Sequence, residues 1–142
     1  MSTATQSNTQ VGDLPFVAGL DLTEMGGRLV KIDSASGKPV VVLPEAETDL
    51  TPFVLTEGGA AGALVTVRPL EAGRNVRLVL DGTCEPGDVL VAMVGGKVQA
   101  LPTDAGTYRP VAVAEEAGAA GQWVLGRPLA IGEITVDGDL GV

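Results

Sequence analysis

Apolar residues along this chain come in short runs that break at turn-forming pairs. From Leu14 onward the breaks fall at Gly26-Gly27, Ser36-Gly37, Gly58-Gly59, Asp81-Gly82, Pro86-Gly87, Gly95-Gly96 and Asp137-Gly138, pairs that favour tight reversals. Between them ten runs predict strands, at 28–32, 39–43, 53–56, 63–68, 76–80, 89–94, 97–101, 111–114, 122–126 and 133–136. In the run 76–80, Val76, Leu78 and Leu80 share one face and Arg77 and Val79 the other, the period of two that a strand needs. Short strands spaced by roughly 8–12 residues predict an all-β fold, a compact β-sandwich or barrel with little helix. The Ala-rich pieces at 45–49 and 114–120 are bounded by Pro or cut by Gly, so each allows one helical turn or a short helix and no long helix. Leu29, Val54, Leu64, Val65, Leu78, Leu80, Leu90 and Val124 belong to the predicted core, and Trp123 reads either as core or as a subunit contact.

The chain repeats itself. Residues 59–73, GAAGALVTVRPLEAG, recur as 118–132, GAAGQWVLGRPLAIG, identical at nine of fifteen positions with an offset of 59. Upstream, Leu20-Asp21-x-Thr23 aligns with Leu80-Asp81-x-Thr83, and Gly27 with Gly87, at an offset of 60. The residues at 133–138 echo the start of the second copy once more. The organisation expected is a flexible N-terminal arm over 1–13, then one β domain over 14–142. That domain is built from two pseudo-repeated halves, about 14–73 and 76–132, and a closing strand at 133–136. A unit near 58 residues buries a marginal core alone, so the two halves should pack together. The polar arm reads either as a plain disordered terminus or as a segment that orders on a partner.

Charge and composition narrow the chemistry. Nine Lys and Arg face eighteen Asp and Glu, a net charge of −9 over 142 residues, which argues against nucleic acid and against an electrostatic membrane surface as partners. No run approaches the roughly 20 apolar residues of a membrane helix, and the first ten residues carry no signal-peptide pattern. Histidine is absent, so the commonest general base and metal ligand are missing. The single cysteine, Cys84, has no partner for an internal disulfide and aligns with Glu24 of the first copy. The carboxylates at Glu45, Glu47 and Asp49 and at Glu115-Glu116 fit no calcium loop. GAAG is followed by a strand and no Lys, which reads as a β-turn and not a phosphate cradle. The hairpin at 85–100, with Met93 and Lys97, is only superficially like a biotinyl carrier turn. No catalytic, cofactor-binding or metal constellation emerges.

Arg68 and Arg127 stand in the two copies of Arg-Pro-Leu, at strand ends that Pro69 and Pro128 close. Each Arg is available to a carboxylate of its own chain or of a neighbouring chain.

Several pieces taken together resemble a known family. They are the apolar lead 16–22, Gly27-x-Leu29-Val30-Lys31, Pro52-x-Val54, Gly59-Ala60-Ala61-Gly62, Leu80-Asp81-Gly82, Glu85-Pro86-Gly87-Asp88, Gly96-Lys97-Val98 and RPVAVAEEAGAAG at 109–121. This pattern, over about residues 14–136, resembles the capsid decoration, or cement, proteins of tailed bacteriophages. The resemblance implies a non-catalytic, cofactor-free structural virion protein. It would be made in the host bacterial cytoplasm and seated on the outer capsid surface, where it stabilises the head. It implies the major capsid protein as partner and self-association, commonly as a homotrimer. A phage fibre or another surface-adhesion β module is the alternative. Val11, Leu14, Pro15 and Phe16, the apolar anchors nearest the arm, and Arg68 and Arg127 are the candidate capsid or subunit contacts.

Overall fold

The structure, a computed structural model, describes residues 12–130 and 132–137. Val11 and the arm up to it lie outside the described residues. Valine and leucine fill the runs between turns, and such side chains suit a half-buried pleated surface. Among the described residues there are twelve strands and no helix. The first half supplies β1 (Leu14–Ala18), β2 (Leu29–Ala35), β3 (Lys38–Val42), β4 (Phe53–Glu57) and β5 (Leu64–Pro69). The second supplies β6 (Val76–Val79), β7 (Val89–Ala92), β8 (Val98–Ala100), β10 (Pro110–Ala114) and β11 (Trp123–Pro128). A ribbon of β9 (Gly106–Tyr108) and β12 (Ile134–Val136) lies beside them. Each expected run overlaps a strand. β1 and β9 are additional. The pieces 45–49 and 114–120 form bends and turns instead of a helical turn. In the first of these, the Asp49 carboxylate accepts the amides of Glu45 and Ala46 at 2.8 and 3.1 Å, which closes the turn locally.

The two halves share one connectivity. In the first, the order β1-β3-β2-β4-β5 closes into a barrel, because β1 pairs antiparallel with β5 and parallel with β3. The second sheet has the order β6-β11-β10-β7-β8, the same neighbours in the same sense, and its ends meet at a single parallel bridge, Leu80 to Val98. Main-chain hydrogen bonds recur as well. Gly62 N–H donates to Ala18 O as Gly121 N–H does to Leu80 O. Leu22 N–H donates to Gly59 O as Cys84 N–H does to Gly118 O, and Leu70 N–H to Pro52 O as Leu129 N–H to Val111 O. These bonds equate Ala18 with Leu80 and Leu22 with Cys84, two residues away from the alignment of Leu20 with Leu80. The loop between Leu22 and Gly27 is two residues longer than its counterpart between Cys84 and Gly87, and it absorbs the shift. The counterpart of Cys84 is therefore Leu22 and not Glu24, and both are buried.

The halves are joined through the open seam of the second. Gly27 O accepts from Val79 N–H at 3.0 Å, Leu29 N–H donates to Gly96 O at 2.7 Å, and Gly95 N–H donates to Pro44 O at 3.0 Å. Leu29 and Val54 of the first half pack in one cluster with Leu78, Leu80, Leu90 and Val124 of the second. A separate cluster, with Leu22, Val30, Val41, Leu55, Val65 and Val67, fills the barrel. A third cluster, with Val91, Tyr108 and Val136, holds the ribbon to the second sheet. Leu64, expected in the core, is 71 % exposed. It alternates with Val65 on β5, and the barrel takes Val65 and Val67, which leaves Leu64 on the outside with Thr66. Leu20, Leu43, Val113 and Leu125 are half-buried.

The seam depends on a bare backbone at Gly96. Its φ is +89°, and a Cβ there would lie 2.5 Å from Leu29 O. Gly37 has φ +79° with nothing within 4 Å of an added Cβ. Gly37→Ala is expected to cost about 1–2 kcal/mol, the conformational term alone. Gly96→Ala adds the clash and is expected to exceed that by a further 1 kcal/mol or so. Urea unfolding of both variants measures the difference, and equal losses would mean that the seam yields freely at Gly96.

Candidate interaction surface

β1 and β5 carry most of the residues expected to make contacts. The pairs Leu14–Val67, Pro15–Thr66, Phe16–Val65 and Val17–Leu64 run along them. Leu14 and Phe16 point into the barrel, where the Phe16 ring lies 5.4 Å from that of Phe53 at a tilt of 47°. Phe16 is thus partly buried core. Pro15 is exposed, Val17 is 37 % exposed, and with Leu64 they form an apolar strip on the outer face of the barrel. Sequence reasoning missed Val17 and placed Leu64 on the wrong side. The signal for Leu64 was its alternation with Val65 and Val67.

Both arginines are engaged within the chain. Arg68 grips the carboxylate of Asp13 through Nε (2.9 Å) and Nη2 (3.2 Å), a two-pronged pair that pins the start of β1 to the end of β5. Its hydrogen bond holds the Asp13 carboxyl below the ordinary value of 3.8 and raises Arg68 in turn. In the second half Asn75 stands where Asp13 does. Arg127 turns to Glu115, with its Nη2 at 3.1 Å and Nε at 3.2 Å, and Asn75 donates to the other oxygen of Glu115 at 2.9 Å. These bonds, led by that of Asn75, lower the Glu115 carboxyl. Lys31 similarly holds Asp49 at 2.9 Å.

Burial pushes the Cys84 thiol up, and backbone hydrogen bonding at Gly118 only partly offsets it, so the thiolate that nucleophilic attack needs is disfavoured. Among the described residues no three His, Cys, Asp or Glu side chains are grouped to hold a metal ion. Three clefts run where the halves meet. One, about 80 Å³, lies between Thr51, Pro52, Leu70, Val111 and Leu129. Another, about 340 Å³, includes Thr56, Arg68, Asn75, Arg77 and Trp123. The third, about 460 Å³, lies between Leu20, Leu43, Pro44, Glu45, Val94 and Gly95. None of them is lined by both an acid and a base.

One loop meets Trp123. The indole, 49 % exposed, lies over the Gly26-Gly27 turn of the first half. Added Cβ atoms would come 3.5 Å from its Cη2 at Gly26 and 3.1 Å from its Cζ3 at Gly27.

No known protein family's sequence pattern matches this chain, and no curated protein sequence does. Among solved structures, the N base of the head fiber gp8.5 of bacteriophage phi29 is similar to it. The TM-score is 0.65 at 15 % identity, over 82 % of this chain and 92 % of that one. The likeness concerns the fold.

The Asp13–Arg68 pair gives a pH signature. Only the charged carboxylate gains from Arg68, so its contribution is present above the ordinary Asp value and is lost as pH falls through the lowered one. Asp13→Asn is expected to reduce stability by less than about 1 kcal/mol at neutral pH, as befits a partly exposed pair. Urea titrations should find the gap unchanged down to about pH 4 and closing below it. A gap that persists in strong acid would assign the loss to the local turn and not to the ion pair.

Proposed function

We propose that this chain is a non-catalytic structural protein of a tailed-phage head, seated on the outer capsid surface as a decoration protein and stabilising the shell. The observation that carries the reading is the fold, shared over nearly the whole of a domain described as the base of a phage head fiber. Chain-wide features support it. Lys31, Arg68 and Arg127 are each held by a carboxylate at the surface, and the sequence pieces that resemble cement proteins run through both halves. Its partners would be the major capsid protein and further copies of itself, as a homotrimer. Repeated around a lattice, modest contacts gain strength by avidity, and a ligand that prefers the assembled shell stabilises it by mass action. A fibre base is the second reading, favoured by the same fold likeness.

Co-sedimentation of the purified protein with heads that lack it tests the proposal, with a sample deleted for residues 1–13 run in parallel. A decoration protein is expected to saturate at a fixed ratio to capsid subunits over the whole shell. Saturation at a small number of copies per head would favour the fibre base. Absence of binding to intact, expanded heads would overturn both readings. Loss of binding only in the truncated sample would assign the contact to the arm.

A further inference from the structure

The contact between the two halves leaves each of its sides duplicated. On one side is the outer face of β6 and β11, where Val79 and Trp123 pair across the strands. On the other is the Gly26-Gly27 turn, which docks on that face. The repeat places Val17 and Leu64 where Val79 and Trp123 stand, and Pro86-Gly87 where Gly26-Gly27 stands. Both counterparts are more exposed. Val17 and Leu64 are 37 % and 71 % exposed, against 9 % and 49 % for Val79 and Trp123. Pro86 and Gly87 are exposed, and nothing lies within 4 Å of a Cβ added to Gly87. Gly87 also has the left-handed φ of its counterpart, +90° against +86°, so the two turns share a backbone shape.

We propose that a second copy of this chain docks its Pro86-Gly87 loop on the Val17–Leu64 face, repeating between molecules the contact that joins the halves within one. Side-chain sizes suit the exchange. Within the chain a large Trp123 meets Gly26, which has no side chain; between chains a smaller Leu64 meets the ring of Pro86. Volume removed from one partner is returned on the other, the swap that packed interfaces tolerate best. The three main-chain hydrogen bonds of the internal seam are not carried over, because the barrel of the first half is closed. Val17 is in register with Val40 inside the closed barrel, so the counterpart of the Val79–Gly27 hydrogen bond is not available, and the contact rests on apolar side chains. Because the two surfaces differ, the association is head-to-tail and propagates to a ring or a chain. The inference stands on the fold and not on the head-protein reading, and its test needs no capsid.

Leu64→Cys and Pro86→Cys are prepared as separate full-length proteins and oxidised alone and mixed. Cross-linked dimer is expected from the mixture and from neither protein alone, while buried Cys84 leaves the wild type uncross-linked. Sedimentation of the wild type over a concentration series is expected to show association that Leu64→Glu abolishes. Leu64 is largely exposed, so far-UV circular dichroism of that variant should be unchanged. A wild type that stays monomeric, a mixture that fails to cross-link, or Leu64→Cys that cross-links to itself would each overturn the proposal.

Discussion

The amide of Leu29 bonded to the carbonyl of Gly96 is the contact on which the rest of the molecule depends. The second half has the strand order of a barrel but only one bridge between its end strands. An unpaired seam would leave buried main-chain groups without partners, at a cost comparable to lost hydrogen bonds. The first half supplies them, with Gly27 O to Val79 and Leu29 N–H to Gly96, and in the same step it delivers the Leu29 and Val54 side chains to the second half's core. A unit of this size is marginal alone, and the shared cluster lets the two halves bury apolar surface as one body. The bare backbone at Gly96 is what allows the strands to come that close.

Much of this was legible in the residues, and the failures have particular causes. Turn pairs and period-two runs located ten strands because the turns are rich in Gly and the faces in Val and Leu. β1 was read only as an apolar lead because Pro15 interrupts it and it adjoins the polar arm. β9 is three residues, Gly-Thr-Tyr, too short for any period. Pairing across the barrel was beyond the sequence pattern: Asp13 and Arg68 are far apart in the chain and meet only because β1 closes on β5. The two-residue shift between the copies was hidden because Leu-Asp-x-Thr recurs at an offset the hydrogen bonds do not follow. Leu64 lies outside although it is apolar, because its strand alternates and the barrel takes Val65 and Val67.

The copies have diverged in ways that compensate locally. Asp13 in the first half binds its arginine directly. In the second, the neutral Asn75 takes that place, and the carboxylate has moved to Glu115, where the first half has Thr56. Thr56 instead hydrogen-bonds to Thr66 O at 3.1 Å. Each arginine keeps one carboxylate, supplied from a different strand. The exchange of Trp123 and Gly26 for Leu64 and Pro86 follows the same logic with volume in place of charge.

Charge decides what kind of contact such a molecule makes with its own kind. The chain carries nine more acids than bases, and Lys31, Arg68, Arg77, Arg109 and Arg127 each already face a carboxylate of the same chain. Little positive charge is left to attract another acidic copy, so copies repel at a distance and the repulsion falls off within about 10 Å at 0.1 M salt. An interface between them must therefore draw on short-range apolar packing. Pro86 sits between Glu85 and Asp88, but Asp88 turns inward to accept the Glu85 amide at 2.9 Å, which leaves the ring of Pro86 at the tip. An apolar tip on an acidic loop and an apolar strip on an acidic barrel fit one another where charge alone would hold them apart.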